Sequence, residues 1–292
     1  MSDLGGLRLL HVHAHPDDES SKGAATTAYY VAQGVQVMVA TCTGGESGSI
    51  LNKEVDTPEN WARLPELRRA EMAEAARILQ IHQRWLGFKD SGYPGDPGWE
   101  LAPDAFAAQD VGVAAARLVG VIREFQPQVV TCYTPDGGYP HPDHIMAHKV
   151  TVAALPLAAD PAYHPELGAA WQVSKLYYDR SFSMAKLVAL DNAMRAWGMP
   201  SKLDERITRR AEPTGPDYTI TTAIPCGGFF EVRNAALLAH RTQIDPDDAW
   251  WFGVPPEVER DAWPTEDYHL ACSTVETQLP ESDLFAGLRH TG

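Results

Sequence analysis

Apolar positions follow two rhythms along this chain of 292 residues. Short, nearly unbroken apolar runs alternate with longer stretches whose apolar positions recur every three or four residues. The runs at 7–13 (LRLLHVH), 35–43 (VQVMVATCT), 84–88 and 128–133 (QVVTCY) predict strands. A run without polar alternation suits a parallel strand covered on both faces. Between them, 22–33, 66–80 (ELRRAEMAEAARILQ), 111–125 and 145–158 predict helices from their spacing and their good helix formers. Strand–helix alternation predicts an α/β fold with a doubly wound, mostly parallel sheet. Beyond residue 171 the pattern loosens. Strands are expected at 173–178 and 219–224 and helices at 184–197 and 231–242, with a polar stretch rich in Pro and Gly at 200–218. The loop at 91–104 is a candidate site rim, because Pro- and Gly-rich connections run over the surface and carry function. The pattern leaves the order of the strands open.

Composition adds exclusions. Hydrophobic residues at 44% and charged residues at 22% suit a soluble globular chain, long enough to need no disulfide or structural metal. A net charge of −15 repels phosphate backbones, so no nucleic-acid partner is expected. Cys42, Cys132, Cys226 and Cys272 form no CxxC pair and read as reduced, buried thiols of a cytoplasmic protein. The N-terminus lacks the basic and apolar regions of a signal peptide, and no apolar run approaches membrane-spanning length, so no membrane partner is expected.

Three expected strand ends carry the chemistry: His15-Pro16-Asp17-Asp18-Glu19, Thr41 to Glu46 (TCTGGE), and Gly137 to His144 (GGYPHPDH). In an open α/β sheet, ligands bind outside the carboxyl ends of the strands, so the three clusters are placed to meet. His15 and Asp18, separated by two residues at a strand-to-helix turn, can point at one atom, and His144 can supply a third ligand. Two histidines and one aspartate leave a coordination position for water, as catalytic zinc sites do. Metal lowers the pKa of that water toward ~7. Asp17, between the two ligand positions, is the candidate general base. His141, as an imidazolium, is a candidate to stabilise the oxyanion and protonate the leaving amine, with Asp143 holding that imidazole.

Each element has a plainer reading. The aspartates can cap a helix, HPDH can be a turn with a packed histidine, and GGE can be a tight turn. His11 and His13, on the strand face of His15, read as core or as supporting hydrogen bonds. Arg68 and Arg69 read as a solvated helix face. Trp250, Trp251 and Phe252 read as core or interface rather than as a substrate wall. The first strand lacks GxGxxG, which argues against a dinucleotide site.

The segments AHPDDES (14–20), TCTGGE (41–46), ARLPELRRAEM (62–72), WLGFKDSG (85–92) and GGYPHPDH (137–144) resemble the LmbE-like (PIG-L) zinc deacetylase superfamily, and the likeness runs nearly end to end, through HRTQIDP (240–246), WPTED (263–267) and ESDLFAG (281–287). SSKG (20–23), ILN (50–52), VSKLYY (173–178) and the C-terminal segments are similar to its branch that cleaves mycothiol S-conjugates, rather than to the N-acetylglucosaminyl-inositol deacetylase of mycothiol synthesis. The resemblance implies a Rossmann-like single domain over 1–292, with a catalytic core at 1–170 and a substrate-shaping part at 171–292. It implies Zn²⁺, with Fe²⁺ as the other ion such a ligand set accepts, on His15, Asp18 and His144. It implies Asp17 as base, His141 as electrophile or acid and Asp143 as its partner. Arg68 and Asp90 match residues that hold sugar and inositol hydroxyls. Glu46 matches a polar residue near the substrate, Tyr139 a mobile tyrosine beside the oxyanion, and Lys22 is a candidate specificity residue.

The implied reaction is hydrolysis of the amide between N-acetylcysteine and glucosamine in a small-molecule thiol–sugar conjugate. It would serve detoxification or trim an adduct in natural-product biosynthesis, and the 200–218 stretch keeps the second role open. The alternatives are an amino-sugar N-deacetylase and a non-catalytic sugar binder, against which the intact Asp17 speaks. Oligomeric state and the natural S-substituent are not legible.

Overall fold

Seven of the eight residues of the second strand are buried, as a strand covered on both faces requires. In a computed structural model of the chain, residues 6–96, 98–201, 203–204, 207–208 and 218–289 are described. Seven strands, β1 (Arg8–His13), β2 (Gln36–Thr43), β3 (His82–Phe88), β4 (Val129–Cys132), β5 (Lys175–Asp179), β6 (Thr222–Ile224) and β7 (Glu266–Ser273), form one sheet in the order β3-β2-β1-β4-β5-β7-β6. β1 to β5 are mutually parallel, and β7 runs antiparallel to both its neighbours. The helices are α1 (Asp18–Ser21), α2 (Ala24–Val31), α3 (Pro58–Ala62), α4 (Leu64–Leu79), α5 (Val111–Phe125), α6 (Pro142–Ala159), α7 (Met184–Ala196), α8 (Phe230–Ala239), α9 (Ala249–Phe252) and α10 (Pro256–Ala262).

Successive side chains of β1 enter two different cores. Leu10 and Val12 pack with Leu118 and Ile122 of α5 and Val150 of α6. Leu9, on the other face, packs with Tyr30 of α2, Phe230 of α8 and Leu284 and Phe285 near the C-terminus. This is the expected doubly wound α/β sheet with helices on both faces.

The expected elements appear, most with shifted ends. α6 begins at Pro142 rather than 145, because His141 caps it: the His141 side chain accepts from the Asp143 N–H. The HPDH segment is therefore a helix start and not a free loop. β7 was not expected. It opens with the charged pair Glu266-Asp267 and is an antiparallel insertion whose core contacts, at Tyr268 and Leu270, lie far away in sequence. Cys272 was expected buried and is exposed, while Cys42, Cys132 and Cys226 are buried, and all four are free thiols. Of the polar stretch at 200–218, residues 202, 205–206 and 209–217 lie outside the described residues. Among those described, no helix is long and apolar enough to cross a membrane.

Candidate metal centre

The chain lays β2 and β3 to one side of β1 and then β4 to the other. This reversal opens a crevice at the carboxyl ends of β1 and β4. The segment 14–19 leaves β1 there, and the segment after β4 returns to the same place at 137–144. His15, Asp18 and His144, all buried, present ligand atoms within 4.8 Å of one another.

Their hydrogen bonds orient them. His144 Nδ1 donates to the Gly137 carbonyl at 3.0 Å. Its Nε2 is buried and makes no hydrogen bond. A buried nitrogen without a partner is costly and calls for an explanation. His15 Nε2 donates to Asp143 Oδ2 at 3.2 Å, and its Nδ1 lies 3.5 Å from Asp18 Oδ2. Asp18 also accepts from the Tyr133 hydroxyl, from the His15 backbone N–H and, on Oδ1, from Lys22 Nζ at 2.6 Å. Burial pushes the Asp18 carboxyl up, but His144, Lys22 and His15 outweigh it and hold it well below the usual range. Burial also lowers His144, against the pull of Asp18. Two imidazole nitrogens and one carboxylate, each braced from behind, fit a small divalent cation. His15, Asp90 and His141 form a second such group. It shares His15 with the first; Asp90 accepts from the Ser47 and Gly92 N–H groups, and His141 Nδ1 from the Asp143 N–H.

Asp17 has φ 100° and ψ −26°. This left-handed conformation is uncommon for any residue but Gly, and such strain gathers at functional sites. Arg68 braces it, donating to the Pro16 carbonyl at 2.6 Å, to Asp17 Oδ2 at 3.2 Å and to the Gly45 carbonyl at 2.9 Å. On the other side, the Asp17 N–H donates to Glu19 Oε2, and Glu19 Oε1 accepts from His240 Nε2 at 2.7 Å. Burial pushes the Asp17 carboxyl up to about 6, against the pull of Arg68. Glu19, His240, Tyr133 and Ser91 support the site and were not singled out from sequence. Glu19 sits inside the motif, yet its partner is 221 residues away.

Several expectations are corrected. The Asp143 carboxylate does not hold His141; it receives His15 Nε2, the Ser91 N–H and the Ser91 hydroxyl. An imidazolium at His141 is disfavoured by its surroundings. Burial, with His15 and His144 beside it, pushes it down to about 3. With Nδ1 accepting the Asp143 N–H, the neutral ring carries its proton on Nε2. Arg68 is not on a solvated face but 3% exposed, and Asp90 is 4% exposed; their partners here are protein groups. Glu46 accepts the Asp90 N–H. Tyr139 stands at the rim, 42% exposed, 4.6 Å from the His144 ring. The loop at 91–104 reaches the site as expected, stacking Tyr93 on His141 at 5.7 Å. His11 bonds Thr131 and Thr27 as a core histidine.

A doubly wound sheet with a buried His–Asp–His group at its switch point defines an α/β protein with a candidate metal site. Residues 10–155 match PIG-L, GlcNAc-PI de-N-acetylase, and the chain belongs to that family. It is 52% identical to a mycothiol S-conjugate amidase of Streptomyces coelicolor, over 97% of this chain and 98% of that one. It is 39% identical to a 1D-myo-inositol 2-acetamido-2-deoxy-alpha-D-glucopyranoside deacetylase of Streptomyces avermitilis, over 99% of both chains. The fold is similar to that of the N,N'-diacetylchitobiose deacetylase from Pyrococcus horikoshii, with TM-score 0.61 at 18% identity, covering 90% of this chain and 83% of that one.

Proposed function

We propose that the chain hydrolyses the amide between N-acetylcysteine and glucosamine in mycothiol S-conjugates, releasing a mercapturic acid and glucosaminyl-inositol. The observation that carries this reading is the buried Nε2 of His144, which makes no hydrogen bond and lies 3.4 Å from Asp18 Oδ2 beside His15, in a chain 52% identical to an amidase of that name. Zn²⁺ is the proposed ion, with Fe²⁺ as the other candidate. Held by His15, Asp18 and His144, it would supply an acidified water and Lewis-acid polarisation of the amide carbonyl.

The protein's own groups do the rest. Asp17 takes the proton of the attacking water and can pass it on toward the departing amine. His141 Nε2–H and Tyr139 are proposed donors to the developing oxyanion. Asp143 holds His15 in the tautomer whose Nδ1 faces the ligand group. Glu46, from the loop after β2, is proposed to meet the sugar. Arg68 and Asp90 support that wall from behind, which makes their part in holding hydroxyls indirect. Lys22 is proposed to act in specificity, on the acyl side. Residues 171–292 are proposed to shape that side of the substrate, a small thiol–sugar conjugate.

Asp143→Asn is expected to weaken metal binding about 10–100-fold, as loss of such bracing carboxylates does. Competition with a chromophoric chelator measures it, and an unchanged affinity would remove Asp143 from this role.

The reading is tested by hydrolysis of the mycothiol–bimane adduct, with and without chelator, beside N-acetylglucosaminyl-inositol. Chelator-sensitive cleavage of the adduct well above the acetyl sugar is expected. Preference for the acetyl sugar would move the chain to the deacetylase branch and overturn the proposal.

A further inference from the structure

Two cavities follow one another away from the metal-ligand group. The first is lined by Lys22, Tyr133, Tyr139, Asp179 and Phe182. The second shares Ser181 and Phe182 with it and continues along Leu187, Leu237, Trp250, Trp251 and Val254, partly open to solvent. A line of contacts joins them to the site. Lys22 Nζ holds Asp18 at 2.6 Å and lies 5.9 Å from the Phe182 ring. Phe182 meets Trp251 edge-on at 6.3 Å, and Trp251 meets Trp250 at 6.4 Å. The Asp248 side chain caps the short helix α9 through the Trp250 N–H, which sets both indoles on one rigid turn.

The charged groups around the second cavity already have partners. Lys186 and Arg233 share Glu259, at 2.9 Å and 2.6 Å. Glu266 accepts the Ala25 and Thr26 N–H groups. Leu187, Leu237, Trp251 and Val254 give the cavity an apolar lining of the kind that binds small molecules.

The sheet order says which part of a substrate arrives there. Glu46 and Asp90 follow β2 and β3, on one side of β1, while Asp179 ends β5 and Arg180 to Ser183 follow it, on the other. With the sugar on the Glu46 side, as proposed above, the acyl half points toward Lys22 and Phe182. We infer that the second cavity is a subsite for the S-substituent of the conjugate, selecting bulky, uncharged, apolar or aromatic groups, with Trp250 and Trp251 as its wall. These tryptophans are then not simply core: Trp250 is 40% exposed. The inference rests on the amidase reading for the orientation of the substrate.

The test uses the metal-loaded full chain and two mercapturic acids, S-benzyl- and S-methyl-N-acetylcysteine, with binding followed by calorimetry. The wild type is expected to favour the benzyl compound. Trp251→Ala is expected to reduce that preference roughly tenfold, the size of a lost aromatic contact with its buried area, and Trp251→Phe to restore most of it. Trp250→Ala, at a half-exposed position, repeats the test should Trp251→Ala fail to fold. The kcat/KM ratio for benzyl over methyl conjugates of mycothiol is measured alongside. A wild type without benzyl preference, or variants that keep it unchanged, would overturn the subsite while leaving conjugate hydrolysis intact. Benzyl binding that depends on the tryptophans, without hydrolysis of either conjugate, would overturn the amidase reading and leave the subsite standing.

Discussion

Asp17→Asn is expected to lower kcat about 10²–10⁴-fold while the protein keeps its metal, the usual contribution of a positioned general base. Asparagine is the informative replacement. It has nearly the same size and its side-chain oxygen can still accept from Arg68, as Asp17 Oδ2 does. It also tolerates the left-handed conformation at φ 100° better than alanine. The Asp17 N–H bond to Glu19 is a backbone interaction and survives the change. What disappears is the ability to take a proton, so the loss reads that step and not a collapsed loop. Metal content and kcat on the bimane adduct, measured on one preparation, decide the matter. Activity within a few-fold of wild type, with metal bound, would mean that another group serves as base.

Lys175→Ala is expected to destabilise the fold by about 3–5 kcal/mol, the range for removing one partner of a buried ion pair. Lys175 is fully buried on β5. Its ammonium donates to Glu281 Oε1 at 2.5 Å and to the Tyr177 hydroxyl at 3.2 Å. Tyr177 in turn donates to Glu281 Oε2 at 2.7 Å. Glu281 is also tied by its backbone to Thr221 and Ala223, beside β6. Without Lys175, a buried carboxylate is left with only hydroxyl donors. Equilibrium unfolding in urea measures the loss. The double variant Lys175→Met, Glu281→Leu is expected to recover most of it, since an apolar pair of similar volume can replace a buried ion pair. A single-variant loss under about 1 kcal/mol would show that the pair is not a stabilising unit.

That ion pair shows where sequence reading ended. The tail ESDLFAG resembled a family segment, but nothing local links Glu281 to a lysine 106 residues earlier. β7 was missed for the same kind of reason. Its first residues are Glu266 and Asp267, and Glu266 is buried because it caps backbone N–H groups of α2. Arg68 looked solvated on its helix and is buried because Pro16 and Gly45 bring carbonyls to it. Asp143 was assigned to His141 by closeness in sequence, and its carboxylate instead reached His15, 128 residues away.

The sequence by itself determined the alternation of strands and helices, because a parallel strand must be apolar on both faces and a helix on one. It also picked out the short segments that hold the candidate metal ligands, because His15, Asp17 and Asp18 are neighbours in the chain, as are His141 and His144. The tertiary structure alone decided the strand order that opens the crevice between β1 and β4. It decided which groups stand behind the ligands, and it joined the tryptophans of α9 to the metal centre through Phe182. The physical reason is the same in each case. Local patterns record which way a side chain must face, whereas a buried polar group is satisfied by whatever partner the fold brings to it, and that partner can come from any distance along the chain.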